Sequence, residues 1–217
     1  KGIMMEQQNI PDGYKQTEAG VIPKDWEIKQ IGELAGVSSG GTPNRGNKDY
    51  WDGNIPWVTT TLIKGGEITT AEQFITTEGL NHSATKWFPK GTILMAMYGQ
   101  GKTRGQVAIL GIDATINQAC AAIVLNSKVN QSYILQFLNS QYEEIRELSN
   151  SGGQENLSGN IVKSILIPLP SEKEQTAIAD ALSDVDALIS SIEKLIAKKQ
   201  AIKTASMQQL LTGKKRL

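Results

Sequence analysis

The stretch that decides the architecture is EKEQTAIADALSDVDALISSIEKLIAKKQAIKTASMQQLL, residues 172–211. Its apolar residues recur at spacings of three, four and seven, which predicts one amphipathic helix along its whole length. At the α-helical rise, such a helix is about 60 Å long. It is expected to begin near Ser171, because Pro168 and Pro170 stop the preceding strand and Ser171 with Glu174 has the spacing of a capping box.

The apolar residues of this helix form a continuous stripe along one side. A stripe in heptad columns is typical of a helix that packs against a partner helix. We expect the residues that face the partner to be Ile178, Leu182, Val185, Leu188, Ile189, Ile192, Leu195, Ile196 and Ile202. Charged residues occupy the other faces, with acidic residues leading and basic residues trailing, as the helix dipole favours. The alternative is that the helix lies along its own domain.

The composition sets mild bounds. The 217 residues leave room for one further domain of about 150 to 170 residues with a real core. Lys plus Arg equals Asp plus Glu at 22 each, so an argument for nucleic acid must rest on the distribution of charge. No secretory signal is visible, and apolar runs such as 93–98 are far too short to cross a bilayer. The one cysteine, Cys120, excludes an internal disulfide and a cysteine-based zinc site, and a buried thiol in a strand fits a cytoplasmic protein.

Residues 10–170 predict an α+β domain that is rich in strands. Apolar or β-branched runs bounded by Gly, Pro, Asn or Asp predict strands, and they lie at 55–61, 92–98, 106–112 and 119–125. Residues 131–149 have helical spacing and are followed by a Ser-Gly-Gly stop. A last strand is expected at 161–169. The predicted organisation is a globular domain, 10–170, followed by a long coiled-coil helix, 171–212.

An ordered series of short motifs runs through nearly the whole chain. The series is SGGTP at 39–43, YWDGNIPW at 50–57, GTIL at 91–94, NQ at 117–118, IPLP at 167–170, EQ at 174–175 and MQQLL at 207–211. It resembles the DNA specificity subunit of type I restriction-modification systems. The resemblance implies a target recognition domain that reads one half of a split DNA site, and a long helix that spaces it from a second such domain. It also implies a cytoplasmic, non-catalytic subunit without a cofactor or metal, whose partners are double-stranded DNA, methyltransferase subunits and, through them, the endonuclease.

The sequence departs from that family in one respect. Members usually carry two recognition domains and two long helices, whereas this sequence has one of each, so it is either a natural half-subunit or a fragment. If it is a half-subunit, the resemblance implies that two copies pair antiparallel through 172–211 as a homodimer. A two-fold symmetric reader implies a palindromic site. Because the helix is longer than one DNA turn of about 34 Å, several unread base pairs should separate the half-sites.

Two loops, 40–48 and 98–106, concentrate side chains of the types that contact DNA, and the segment 59–64 is expected to add further hydroxyl and basic contacts. Arg and Lys pair with guanine, Asn and Gln with adenine, and Lys, Arg, Ser and Thr bind phosphates. We therefore expect the DNA-binding residues to be Thr42, Asn44, Arg45, Asn47, Lys48, Thr60, Thr61, Lys64, Tyr98, Gln100, Lys102, Thr103, Arg104 and Gln106. Glycines in the first and second loops would let the backbone approach a phosphate. The alternative is that these polar residues only form turns. Trp51 and Trp57 are expected to be core or loop-anchoring aromatics.

Two other function classes stay open. AMYGQGKT at 96–103 satisfies a loose nucleotide-binding pattern, which would make the chain a P-loop-like protein. A phosphate loop must open a helix, however, and the run after it, 107–111, predicts a strand and hence a hairpin. Asp113 follows too soon for a parallel crossover, and the lone His82 makes a poor metal site. The other class is a coiled-coil adaptor that does not bind DNA.

Overall fold

Two mixed sheets carry the core in the computed structural model of this chain, which describes residues 10–99, 101–148 and 156–216. The strands are β1 Tyr14–Thr17, β2 Gly20–Pro23, β3 Glu27–Gln30, β4 Ala35–Ser39, β5 Trp51–Val58, β6 Glu67–Ile68, β7 Gln73–Ile75, β8 Trp87–Phe88, β9 Ile93–Ala96, β10 Val107–Leu110, β11 Ala114–Ile116, β12 Cys120–Leu125 and β13 Leu166–Leu169. The α-helices are α1 Ile31–Leu34, α2 Thr77–Asn81, α3 Gln131–Ser140, α4 Tyr142–Leu148, α5 Gly159–Ser164 and α6 Glu172–Leu211. Short 3-10 turns lie at Lys48–Tyr50 and Thr60–Leu62.

The main core lies between a five-stranded and a four-stranded sheet. The larger sheet has the order β4-β12-β9-β10-β6 and the smaller one β7-β5-β11-β8. Each contains one parallel pair, β10 with β6 and β11 with β5, among antiparallel pairs. One buried cluster contains residues of both sheets, and its members include Leu94, Leu110 and Ala122 of the larger sheet and Val58 and Ile116 of the smaller. Each of these five is at most 1% exposed. Apolar side chains on both inner faces therefore hold the two sheets together.

The predicted strands at 92–98, 106–112 and 119–125 are confirmed as β9, β10 and β12 with shorter bounds. The strand predicted at 55–61 is shifted toward the amino terminus, because β5 spans Trp51–Val58 and Thr60–Leu62 form a 3-10 turn. The predicted helix at 131–149 is divided at Gln141 into α3 and α4 as far as residue 148. A sheet-rich domain followed by one long helix confirms the α+β fold class.

The strand expected at 161–169 is wrong in its first half. Residues 159–164 form α5, and only Leu166–Leu169 form a strand, which pairs with β3. Ser158 caps the helix, because its Oγ accepts a hydrogen bond from the Ile161 amide at 3.2 Å. Val162 is fully buried on the inner face of the helix. This cap and the tertiary packing outweigh the strand preference of β-branched residues.

The long helix α6 has the predicted bounds, Glu172–Leu211. The chain divides into two compact units between Thr176 and Ala177, so the first turn of α6 belongs to the first unit. There the Gln175 side chain is 2% exposed, donates to the Pro170 carbonyl at 2.9 Å and accepts from the Asn130 amide at 2.9 Å.

The apolar stripe predicted for α6 is exposed in the structure, and its role as the surface that faces a partner helix stays a prediction. Eight of its residues have between 43% and 60% of their surface exposed, namely Leu182, Val185, Leu188, Ile189, Ile192, Leu195, Ile196 and Ile202. Ile178 is half-buried. Among the described helices, none is both long and apolar enough to cross a membrane.

Cys120 should be inert to alkylation in the folded chain. The thiol is fully buried, and burial raises its pKa from 9.0 to about 12. At pH 8 the folded chain should therefore resist iodoacetamide, whereas the chain unfolded in urea should react completely, as measured by intact mass. Rapid alkylation under native conditions would contradict the packing of β12 described above.

Candidate nucleic-acid interface

Strand register brings two of the predicted loops to the same end of the five-stranded sheet. Ala121 of β12 pairs with Ser39, the last residue of β4, and Cys120 pairs with Ala96, the last residue of β9. The loops at 40–48 and 98–106 therefore both leave the sheet beside the first residues of β12. Nothing in their sequence separation, about fifty residues along the chain, indicates that they are neighbours.

The third predicted segment, 59–64, ends at the same place. Its first residue follows Val58. The Val58 carbonyl accepts a hydrogen bond at 2.9 Å from the amide of Asn117, which lies in the turn before β12. At its other end, the Gly65 amide donates to the Val107 carbonyl at 2.9 Å, at the start of β10. We call the surface formed by 40–48, 59–64, 98–99, 101–106 and 117–118 the loop face.

Charge is distributed unevenly in this neutral chain. The segments 40–48, 59–64 and 98–106 contain no Asp or Glu, and their five cations are Arg45, Lys48, Lys64, Lys102 and Arg104. Lys48, Lys64 and Lys102 are exposed. A cluster of one sign of charge attracts a polyanion even when the net charge of the protein is zero.

The glycines at the start of the first loop have a different role from the expected one. A Cβ atom on Gly40 would lie 1.9 Å from the Ile116 carbonyl oxygen, and one on Gly41 would lie 2.6 Å from the Ala84 backbone. The Gly41 amide also donates to the Ile116 carbonyl at 2.9 Å. Gly40 and Gly41 let the loop pack directly against the protein's own backbone. No space therefore remains beside these two residues for a phosphate.

Two tryptophans anchor the first loop, as predicted. Trp57 is 2% exposed and its Nε1 donates to the Gly41 carbonyl at 2.9 Å, while Trp51 Nε1 donates to the Asn44 carbonyl at 3.2 Å. The Arg45 guanidinium carbon lies 3.9 Å from the Trp51 ring centroid and 4.7 Å from that of Trp57, and Nη1 donates to Gln73 Oε1 at 2.7 Å. Arg45 is therefore held by cation–π contacts and stiffens the loop.

The amide side chains of this loop form turns. Asn44 Oδ1 accepts from the Gly46 amide at 2.9 Å, and Asn47 Oδ1 accepts from the Asp49 amide at 3.1 Å. The Thr42 hydroxyl donates to Gln118 Oε1 and so connects the first loop to the turn before β12. The sequence analysis did not place Gln118 in the site, although its position between two strands could have indicated it.

The second loop is a hairpin, so the nucleotide-binding alternative is wrong. β9 and β10 pair antiparallel, with Val107 opposite Met95, and β10 follows the loop where a phosphate loop needs a helix. Asp113 is used structurally, since its Oδ1 accepts from the Lys90 amide at 2.7 Å. Gln100 lies outside the described residues.

Helix α4 holds the second loop from behind. The Tyr142 hydroxyl donates to the Lys102 carbonyl at 2.6 Å, and Arg146 Nη2 donates to the Gly101 carbonyl at 2.8 Å. Arg146 Nη1 also donates to the Tyr142 oxygen at 3.2 Å. Gly105 has φ of +86° and passes so close that an added Cβ would lie 2.9 Å from Arg146 Cγ. The Lys102 backbone is thus fixed while its side chain is exposed.

Tyr142 lies within the predicted helix 131–149, and Arg146 was not among the predicted site residues. Their spacing of four residues puts them on one helix face, which is the signal that could have paired them. In the same loop Tyr98 is exposed, and Thr103, Arg104 and Gln106 are half-buried.

The third segment, 59–64, contains one exposed cation, Lys64. The Thr59 and Thr61 hydroxyls lie 2.7 Å apart, and Thr61 donates to Glu72 Oε2 at 3.3 Å, so this hydroxyl already has protein partners. Thr60 begins the 3-10 turn and is half-buried, while Lys64 is exposed. The structure thus brings 40–48, 59–64 and the described part of 98–106 to one surface, on which Arg45 and Asn44 are exposed and also bonded within the protein.

His82 has a structural role at the surface. Its Nδ1 lies 3.0 Å from the Glu78 carbonyl oxygen, and its ring stacks on Tyr50 with 5.9 Å between centroids. Within the described ranges, no group of three His, Cys, Asp or Glu side chains is arranged to hold a metal ion.

Comparisons with known proteins agree with this architecture. The family model for the type I restriction modification DNA specificity domain matches residues 23–204. The MjaIX type I restriction enzyme specificity subunit of Methanocaldococcus jannaschii is 34% identical over 186 residues, which are 83% of this chain and 42% of that protein.

Solved structures share the fold. One is a chain from a structure that describes complex assembly and conformational transition of the type I R-M system, with a TM-score of 0.70 at 15% identity. The match covers 90% of this chain and 46% of that one. The HsdS subunit from Thermoanaerobacter tengcongensis has a TM-score of 0.62 at 15% identity, covering 91% and 47%. The chain therefore spans about half the length of the relatives it matches.

Replacing Tyr142 by Phe should loosen the second loop. The change removes the hydroxyl that bridges the Lys102 carbonyl and Arg146, and a lost hydrogen bond of about 1 kcal/mol raises the open population about five-fold. Limited trypsin digestion should then cleave after Lys102 and Arg104 about five times faster, as measured by peptide mass. Glu147→Ala, an exposed change on the same helix, serves as the control. Equal cleavage rates in all three proteins would show that the hydroxyl does not hold the loop.

Proposed function

We propose that this chain, which belongs to the type I restriction modification DNA specificity family, is a non-catalytic subunit that recognises a DNA sequence. The observation that carries the proposal is the loop face, where three loops with five cations and no carboxylate leave one end of a rigid sheet. Positive loops on a fixed scaffold suit a duplex, whose phosphates supply affinity and whose base edges supply specificity.

The loop face recognises one half of a split site. The side chains that contact DNA are the exposed Lys48, Lys64 and Lys102, together with the half-buried Arg104. Arg45, Asn44 and Asn47 have partners inside the protein and shape the first loop. Phosphate contacts by the lysines position the duplex, and sequence discrimination comes from the arginine and amide side chains of the loops.

The partners of the subunit follow from its relatives, which are named specificity subunits of type I restriction enzymes. We expect the chain to hold methyltransferase subunits on the DNA and, through them, the endonuclease. The relatives come from prokaryotes, whose chromosome lies in the cytoplasm, and the chain is expected to act there. An adaptor that does not bind DNA remains the competing function, and the first experiment below distinguishes the two.

A second copy of the chain is the partner that fits the exposed stripe of α6. Eight large apolar side chains along one helix face need cover, because exposed apolar surface on this scale is characteristic of an interface. The chain spans 42% of the MjaIX subunit and 46% of the first solved chain, and where it is a natural half-subunit, two copies supply two recognition domains. The site recognised by such a homodimer is palindromic and interrupted.

Charge favours the antiparallel sense of pairing. Residues 172–190 carry five acidic and one basic side chain, whereas residues 191–211 carry one acidic and four basic. Antiparallel helices place the acidic half of each copy beside the basic half of the other, and parallel helices place like charges together. Opposite charges along the flanks of a coiled coil set its orientation.

One register satisfies both the apolar stripe and the charges. It places Ile178 opposite Ile202 of the second copy, Val185 opposite Leu195, and Leu188 opposite Ile192, which puts the two-fold axis beside residue 190. On the flank, Asp184 then faces Lys198. The two copies of Ser191 face each other at the axis, whereas Ser190 lies on the outward face of the helix.

Lys102→Ala combined with Arg104→Ala should weaken DNA binding. The cognate site is first found by sequencing which genomic adenines become methylated when the chain is supplied with its methyltransferase. Fluorescence anisotropy of the complex on a duplex with that site should show at least about ten-fold weaker binding, with a salt slope lower by about two if both cations contact phosphates.

Lys128→Ala is the control for that double variant. Lys128 is exposed and follows the carboxyl end of β12, whereas the loop face lies at its amino end, so this change should leave binding unaltered. Unchanged binding by the double variant would overturn the assignment of the second loop. A wild-type complex that neither binds nor methylates DNA would favour the adaptor.

Cysteine cross-linking tests the proposed pairing of α6. A short bis-maleimide should link two copies of the Ser191→Cys variant, since those cysteines meet at the axis, and should leave Ser190→Cys unlinked. Lys198→Cys distinguishes the orientation: in the antiparallel pair its two copies lie about 20 Å apart along the axis, whereas a parallel pair would link them. Buried Cys120 should not react.

Solution mass provides the matching measurement. Leu188→Glu with Ile192→Glu introduces charges into the apolar stripe and should convert the dimer to a monomer by light scattering. An unaltered mass, or equal cross-linking of Ser190→Cys and Ser191→Cys, would show that this stripe is not the pairing surface.

A further inference from the structure

A groove lined by polar and apolar side chains lies beside the loop face and shares Tyr98 and Gln118 with it. It has a volume of about 410 Å³ and runs between β4, the start of the second loop and α5. The side chains that matter for its chemistry are Ser38, Ser39, Tyr98, Gln118, Asn160 and Lys163. We call it the β4–α5 groove.

The chemistry of the groove suits an anion. Of the described residues that line it, Lys163 is the one cation and none is a carboxylate. Ser38 and Ser39 contribute hydroxyls, and Gln118 and Asn160 contribute amides. A single ammonium surrounded by neutral hydrogen-bond donors binds one phosphate group well, whereas it offers an acidic protein surface little beyond one charge.

Lys163 is held where it can serve this role. Its Cβ and Cγ pack over Gly32 of α1 so closely that a Cβ added to Gly32 would lie 3.2 Å and 3.5 Å from them. The Lys163 side chain is exposed beyond this contact, and it forms no ion pair with any residue that the structure describes. Its stem is therefore restrained while its charge stays available.

The groove joins the two main loops. Tyr98 is the first residue of the second loop, and Gln118 accepts a hydrogen bond from Thr42 of the first. Because Tyr98 and Gln118 belong to both surfaces, a polymer bound along the loop face would lie beside this groove. Continuity with the loop face identifies the anion as a phosphodiester of the bound DNA strand, as opposed to a separate small ligand.

We infer that the β4–α5 groove binds a phosphate of the DNA backbone through Lys163, assisted by Asn160 and Ser39, and sets the position of the duplex on the loop face. The inference rests on the proposed DNA recognition. Because a backbone contact carries no sequence information, the groove contributes the same affinity on every sequence.

The test measures the affinity of the methyltransferase complex at a series of salt concentrations on two labelled duplexes. One duplex contains the cognate site found by sequencing, and in the other that site is scrambled. Lys163→Ala should weaken binding to both duplexes by the same factor, about three- to ten-fold, and lower the salt slope by about one. Lys163→Arg should retain the wild-type slope. Asn160→Asp, which adds a negative charge at an exposed position, should weaken binding to both. Lys128→Ala remains the control.

Each outcome separates the groove from the wider proposal. If Lys163→Ala and Asn160→Asp bind as wild type while the Lys102 and Arg104 double variant is weakened, the groove assignment is overturned and DNA recognition stands. If Lys163→Ala weakens the cognate duplex alone, the residue reads bases and the backbone role is overturned. If it reduces recovery of methyltransferase subunits while binding by assembled complex is unchanged, the groove is a protein surface. A wild-type complex that binds neither duplex overturns both proposals.

Discussion

The register of β12 is the constraint on which the rest of the structure depends. This central strand pairs with β4 on one side and β9 on the other, so the ends of both neighbours stop beside its first residues. A slip by one residue would turn buried Ala122 and Cys120 toward the opposite face and would separate the two loops. The apolar core between the two sheets excludes that slip. The energy that fixes the loop face therefore lies in the sheet beneath it.

Within the loop face, residues that shape the loops differ from residues exposed on them. Gly40 presses against the Ile116 carbonyl, Arg45 stacks on two tryptophans, and Tyr142 with Arg146 holds the second loop from α4. Loops that are already ordered lose less conformational entropy when they bind. If the loop face reads DNA as proposed, a substitution at an exposed position can change which bases are recognised without changing the loop backbone. Specificity and stability would then be carried by different side chains.

The sequence predicts what depends on local periodicity. The bounds of α6 and the places of β5, β9, β10 and β12 follow from repeating apolar residues, and loop composition identified most candidate residues. It could not predict that three loops meet, because their meeting depends on pairings between residues distant in the chain. It also missed α5, because β-branched residues in this segment favour a strand, whereas the Ser158 cap and packing against the core stabilise a helix. Tyr142 and Arg146 were missed because their partners are backbone carbonyls, which no side-chain pattern reveals.

A neutral chain with few cations on its loop face raises the question of affinity. Each phosphate contact contributes modestly and is weakened by salt, so one recognition domain alone binds weakly. In the proposed homodimer, the second domain would bind as if at high local concentration once the first is engaged. The gain is realised only if the helix holds both domains at the distance between half-sites. A rigid rod with a single favoured register achieves that, whereas a flexible linker would spread the spacing over many values. In the proposed homodimer, the length and register of α6 are therefore as much a part of sequence recognition as the loops.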